Sequence, residues 1–175
     1  MIQKPFLHQV ITNFLPAEKA RSLLKKVQKQ QFHRKKSDLF QFSQTSDLLH
    51  EEDFKGIISH LTSKTFITYL EKSTGIELNG KIDLFASLYQ DTDFLLPHDD
   101  QLPGRKIAFM LYVSDLTNND GGAFLLFDKE KVVTRIIPRF NTFVFFEVSP
   151  KSLHGVEEVV TKKKRYTLSG WFYGD

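Results

Sequence analysis

The sequence predicts a mainly β, α+β domain: a sandwich or barrel-like roll of about eight strands, with helices packed on one outer face. Three observations carry this. From residue 81 onward, apolar runs of strand length alternate with short turns rich in Gly, Pro, Asn and Asp. The 17 phenylalanines favour strands and an aromatic-lined interior. Before residue 81 the apolar spacing is mostly helical.

The elements follow in order. Residues 6–11 form a short apolar run that reads as a strand. Pro16 then opens PAEKARSLLKKVQKQ, in which Ala20, Leu23, Leu24 and Val27 recur at helical spacing. FHRKKSDLFQFSQT reads as a polar loop followed by a strand, because Phe40 and Phe42 alternate with Leu39, Gln41 and Ser43. Between Asp47 and Ser73, Phe54, Ile57, Ile58, Leu61, Phe66, Tyr69 and Leu70 mark one or two amphipathic helices, which Gly75 is placed to end. The strand runs are IDLFASLYQ, FLLPH, KIAFMLYVS, AFLLF, VVTRII, TFVFFEV, HGVEEVV and YTLSGWFY, separated by turns such as DTD, LPGR and NNDGG. No repeat or linker interrupts them. One domain over 1–175 is expected, with helical and strand support over about 1–80 and the β core over about 81–175.

Composition narrows the class. With 41% hydrophobic and 26% charged residues, the chain is globular and not disordered. No apolar run approaches the roughly 20 residues that span a bilayer. There is no cysteine, which excludes disulfides and thiolate metal sites. The start, MIQKPFLHQV, lacks the apolar core of a signal peptide, so a cytoplasmic location is expected. Net charge is only +3, yet basic residues cluster at Lys25-Lys26, Arg34-Lys35-Lys36 and Lys162-Lys163-Lys164-Arg165. Each cluster reads as a solvated face, or as attraction to an acidic partner such as nucleic acid or a ribonucleoprotein.

The chemistry centres on LLPHDDQLPG. If that segment is extended, His98 and Asp100 leave on one face and Asp99 on the other. An imidazole and a carboxylate on one face can share a metal ion, and a third ligand is needed. His154 opens a β run after the SPKS turn and can reach a neighbouring strand. Two histidines and one carboxylate with open positions suit a non-haem Fe(II) oxygenase. The bland alternative is a pair of hydrogen-bonded strand-end histidines. In RYTLSGWFY, Arg165, Thr167 and Ser169 share one face. If it looks inward, Arg165 is a buried guanidinium that needs an anion, best a bidentate carboxylate. A protein carboxylate could supply that partner instead. Tyr112 reads as a second donor to the same carboxylate, or as strand filler.

The ordered motifs HDD, GRKIAFMLYVSD, GGAFLLF, FNTFVFFEVSP, LHG and RYTLSGWFYGD resemble the prolyl-hydroxylase-like Fe(II)/2-oxoglutarate dioxygenases. LLPHDDQLPGRKIAFMLYV, FFEVSPKSLHGVEEV and LSGWFYG look closest to the ribosomal prolyl 3-hydroxylase branch. The resemblance implies a double-stranded β-helix (jelly-roll) core with supporting helices. It implies iron on His98, Asp100 and His154, with 2-oxoglutarate on Arg165 and Tyr112. O2 would be the second co-substrate, and ascorbate a possible reductant. Arg105 and Trp171 would touch the substrate proline, and Tyr89 would lie near the iron. The implied substrate is the decoding-centre protein of the small ribosomal subunit, with ribosomal RNA nearby and no membrane. Eukaryotic members of the branch carry a second, degenerate β-helix domain, and this chain is expected to match the first alone. HRKKSDLFQFSQTSD would be a loop or hairpin at the active-site mouth.

Other readings stay open: a prolyl hydroxylase of another translation protein such as an elongation factor, a nucleic-acid demethylase, and a binding module that has lost catalysis. A second arginine on the last strand, expected of the demethylases, is missing from RYTLSGWFY. Oligomeric state is not legible in the residues.

Overall fold

KIAFMLYVS shows how the core is divided. The computed structural model describes all of residues 1–175, and within it Ile107, Phe109 and Leu111 face one hydrophobic cluster while Ala108, Met110 and Tyr112 face another. A period of two on a strand buried on both faces produces an unbroken apolar run. TFVFFEV behaves alike, with Phe143 and Phe145 on one side and Val144 and Phe146 on the other.

Three strands and three helices precede residue 81: β1 (His8–Thr12), α1 (Ala17–Gln28), β2 (His33–Lys36), β3 (Phe40–Gln44), α2 (Lys55–Leu61) and α3 (Lys64–Thr74). Eight strands follow: β4 (Phe85–Tyr89), β5 (Phe94–His98), β6 (Arg105–Tyr112), β7 (Phe124–Asp128), β8 (Lys131–Ile136), β9 (Thr142–Glu147), β10 (His154–Val156) and β11 (Arg165–Tyr173). All eight runs expected after residue 81 form strands. HGVEEVV pairs only as far as Val156, where the register with β5 shifts. HRKK is not a loop, because His33–Lys36 pairs with Gln41–Gln44 to make a hairpin. Its charged side chains conceal the strand, since an exposed edge lacks the apolar alternation that marks half-buried strands.

The antiparallel order is β1-β9-β6-β11-β4-β3-β5-β10-β7-β8, with β2 paired to β3. Strand β3 joins β4 through Ser43 and Gln44, and β5 through Phe40 and Gln41. The hairpin thereby closes the curled sheet between its two halves. β1 and β3 belong to this sheet, so the first 80 residues supply strands to the core as well as helices.

The helices cover the outer face of the β9-β6-β11-β4 half. Leu23 and Val27 of α1, Ile57 and Leu61 of α2, and Phe66 and Leu70 of α3 lie in one cluster with Phe109, Phe143, Leu168 and Phe172. Pro16 sits immediately before α1, where a missing N–H costs nothing. Ser63 caps α3 by accepting the Phe66 N–H at 3.2 Å. Gly75 ends α3 in the left-handed conformation, φ 74°, which a side chain would resist. No helix is long and apolar enough to cross a membrane.

Candidate active site

His98 and His154 are register partners across the β5–β10 ladder, and their ring centroids lie 4.2 Å apart. Gly155 makes this possible: a Cβ there would stand 2.7 Å from the Leu95 carbonyl oxygen, too close for the two strands to keep their approach. Each histidine directs Nδ1 at a backbone oxygen two residues earlier. His98 Nδ1 meets Leu96 O at 3.0 Å and His154 Nδ1 meets Ser152 O at 2.7 Å. A carbonyl can only accept, so each Nδ1 carries a hydrogen. In the neutral ring each Nε2 offers a lone pair to a metal, while in the protonated ring it donates to Asp100. An Nδ1 held by a backbone carbonyl is how metal-binding histidines are oriented.

Both Nε2 atoms face one carboxylate. His98 Nε2 is 3.4 Å from Asp100 Oδ1 and His154 Nε2 is 3.3 Å from Asp100 Oδ2. The ligand atoms of all three residues lie within 4.8 Å of one another. Donors held about 2.1 Å from one ion stand about 3 Å apart, so the set fits a single metal.

The expected route to this arrangement was an extended His-Asp-Asp segment, and the structure corrects it. Strand β5 stops at His98, and Asp100 adopts φ 62° in the left-handed region. Period-two alternation therefore does not apply past His98; the bend itself turns Asp100 back toward the imidazoles. Asp99 is held locally, its carboxylate accepting from the Gln101 N–H at 3.1 Å and from Gln101 Nε2 at 2.8 Å.

Burial alone would raise the Asp100 pKa, but the hydrogen bonds and charges of His154 and His98 outweigh it and hold the carboxyl well below its usual range. For His98 burial pulls downward, yet the Asp100 carboxylate wins and the net shift is upward.

Arg165, Thr167 and Ser169 line the same cavity as the triad, as their shared face predicts, and it measures about 440 Å³. Arg165 is 2% exposed and forms no ion pair with any protein carboxylate. Its Nη1 donates to Thr167 Oγ1 at 3.1 Å, and its buried Nε has no partner. A buried guanidinium without an anion is expensive, so this one is set for a carboxylate brought by a ligand. Two tyrosine rings flank it. Arg165 Cζ lies 4.9 Å from the Tyr89 centroid and 5.1 Å from that of Tyr112. Burial pushes the Tyr112 hydroxyl up to about 12, and that hydroxyl meets the Met110 sulfur at 3.0 Å. Thioether sulfur is a weak acceptor, so the O–H is readily redirected to a carboxylate.

Arg105 and Trp171 form a second unit. The Arg105 guanidinium stacks 3.4 Å from the indole centroid, and Trp171 Nε1 donates to Asp100 Oδ2 at 3.1 Å. Trp171 therefore orients a triad carboxylate, a contact its sequence position did not disclose. The hairpin contributes Leu39, Phe40 and Phe42 to the cavity wall.

The basic clusters are partly internal. Arg34 binds Asp93 through both terminal nitrogens, and Lys163 binds Asp120 at 2.8 Å. The Lys163 ammonium, then the Thr117 donors, hold the Asp120 carboxyl well below the usual range. Neither residue is free for a polyanion, unlike exposed Lys35 and Lys36.

Residues 84–173, just over half the chain, match the 2OG-Fe(II) oxygenase superfamily. The chain belongs to that superfamily. Its members use Fe(II), 2-oxoglutarate and O2, and the residues fit them: two nitrogens and one carboxylate oxygen for iron, and an unpaired buried guanidinium for a dicarboxylate. The chain is 41% identical over 180 aligned positions to mouse (Mus musculus) prolyl 3-hydroxylase OGFOD1, covering 97% of this chain and 33% of the mouse protein. It spans about a third of the length of the curated relatives it matches. The fold is that of a Pseudomonas putida prolyl-4-hydroxylase, with TM-score 0.82 and 18% identity over 96% of this chain and 92% of that one. A prolyl hydroxylase from Trichoplax adhaerens, solved with a hypoxia-inducible-factor peptide, gives TM-score 0.76 and 18% identity over 95% and 83%. These likenesses establish the oxygenase jelly roll.

Proposed function

We propose that this oxygenase hydroxylates a prolyl residue of a protein substrate. The observation that carries the reading is the similarity to a prolyl 3-hydroxylase along nearly the whole chain, with the triad and Arg165 in one cavity. Fe(II) with 2-oxoglutarate and O2 supplies the oxidant that inserts oxygen into an unactivated C–H bond, while 2-oxoglutarate becomes succinate and CO2.

The chain's residues do the positioning. His98, Asp100 and His154 would hold the iron. Arg165, steadied by Thr167, would take the far carboxylate of 2-oxoglutarate, with Tyr112 as the second donor. Phe40, Phe42 and Phe146 wall the cavity with apolar surface that excludes water. Arg105 and Trp171 present a stacked cation–aromatic surface at the site, suited to a proline ring and its carbonyl groups.

The substrate we favour is a ribosomal small-subunit protein at the decoding centre, with ribosomal RNA nearby. Exposed Lys35 and Lys36, on the hairpin that walls the cavity, suit an RNA-bound target. Ascorbate as a reductant and a cytoplasmic location belong to the same reading.

The test is to incubate the protein with Fe(II), 2-oxoglutarate and intact small ribosomal subunits, then map peptides by mass spectrometry. One added oxygen on a single proline, dependent on 2-oxoglutarate, is expected. Modification confined to an elongation factor, or to nucleic acid, would replace this substrate.

A further inference from the structure

Beyond its ladder hydrogen bonds, the β2–β3 hairpin is tied to the barrel by side-chain contacts that include Gln41 Nε2 donating to Thr92 Oγ1 at 3.2 Å. Two others lead toward Arg165. On its outer strand, Arg34 Nη1 donates to Asp93 Oδ2 at 2.8 Å and Nη2 donates to Oδ1. Asp93 is fully buried and also accepts the Gln90 N–H at 2.9 Å, so the pair is anchored to the turn that follows Tyr89. A bidentate pair with one desolvated partner has a fixed geometry. On the inner strand, Phe42 stacks on Tyr89 with centroids 5.0 Å apart and an interplanar angle of 13°. Tyr89 is the register partner of Arg165, and its ring lies against the guanidinium. Desolvation raises the Tyr89 pKa above its ordinary value, so the ring stays neutral.

These contacts form one chain: Asp93 to Arg34, along the hairpin to Phe42, then Tyr89, then Arg165. Only the last carries an unmet need for an anion. We propose that the hairpin is a working wall of the co-substrate site. Phe42 is a positioning residue that holds Tyr89 against Arg165 in the orientation a dicarboxylate requires, and the Arg34–Asp93 pair seats the hairpin so that this stack forms. The inference rests on Arg165 receiving the far carboxylate of 2-oxoglutarate. It makes 2-oxoglutarate affinity sensitive to an element that holds none of the iron ligands. Leu39 and Phe40 of the same hairpin line the cavity.

The test is anaerobic calorimetry of 2-oxoglutarate binding to the Fe(II)-loaded full chain, with iron affinity measured separately. The variants are Phe42→Leu, Phe42→Tyr, Arg165→Ala and the double change Arg34→Gln/Asp93→Asn, which removes the pair without leaving a buried charge. Phe42→Leu and the double change should each weaken 2-oxoglutarate binding roughly three- to tenfold, the scale of a lost stack behind a cation. Iron affinity should not move, and Phe42→Tyr should bind as the unaltered protein does. If Phe42→Leu and the double change bind 2-oxoglutarate normally while Arg165→Ala does not, the coupling is wrong. Equal losses of iron and 2-oxoglutarate affinity would mean general loosening and also overturn it. Normal binding by Arg165→Ala would remove the assignment of Arg165, and the coupling with it.

Discussion

The indole nitrogen of Trp171 donates to Oδ2 of Asp100 at 3.1 Å, across 71 residues of sequence. The same oxygen faces His154 Nε2. Trp171 is thus the outer partner of the carboxylate of the candidate metal triad, and the Arg105 guanidinium stacks on its ring.

Trp171→Phe keeps an aromatic ring and deletes the donor. Iron affinity should fall by about tenfold, the lower end for losing an outer partner of a metal ligand. Titration with Fe(II) or Co(II) measures it, and unchanged affinity would show that Asp100 is held by the histidines alone.

Arg165→Met replaces a buried, unpaired guanidinium by an apolar chain of similar length. Stability should stay level or rise, because no protein carboxylate loses a partner. Binding of 2-oxoglutarate should fall by at least about a hundredfold, the scale of a lost bidentate pair. Thermal unfolding and calorimetry read the two effects separately; a large drop in melting temperature would mean that the arginine supports the fold.

Gly155→Ala tests the closeness of β10 to β5. The new methyl group meets the Leu95 carbonyl oxygen at 2.7 Å, a backbone atom of the paired strand that cannot swing aside as a side chain would. A loss of about 2 kcal/mol is expected, as for other overpacked sites. Metal affinity should fall with it, although no ligand is changed, because His154 moves away from His98.

Metal-free protein should show a particular pH profile. The Asp100 pKa is depressed, so its contribution to stability is present above the unfolded value, about 3.9, and is lost as pH falls toward the folded value. The His98 pKa is raised, so its contribution is full below about 6.5 and is lost as pH rises through the folded value. The cluster therefore supports the fold best between about pH 4 and 6.5. Metal binding needs His98 deprotonated, so the gain in melting temperature on adding Co(II) should be larger at pH 8 than at pH 6. An equal gain at both would argue against His98 as a ligand.

Much of the site was legible because its parts are local. HDD, the LHG of β10 and the alternation of RYTLSGWFY each show within a few residues. Their pairing needed only strands able to meet, and the apolar runs from residue 81 onward supplied them. Less visible was HRKK, whose exposed edge carries no apolar signal, and the bend at Asp100. Period-two reasoning put His98 and Asp100 on one face for a reason that does not hold, since left-handed backbone at Asp100 does the work.

What the sequence alone determined is the class of fold and the chemical inventory. It specifies a β roll with helices outside, two histidines and an aspartate of the types that can share a metal, and one arginine sharing a face of the last strand with Thr167 and Ser169. These follow from residue type and short-range period, which every stretch of chain carries with it. Only the tertiary structure decided which groups remain unpaired. It gave Arg34 to Asp93 across 59 residues and Trp171 to Asp100, and it left Arg165 without a carboxylate. Pairing depends on which charges the folded backbone brings within about 3 Å, and no local pattern encodes that distance.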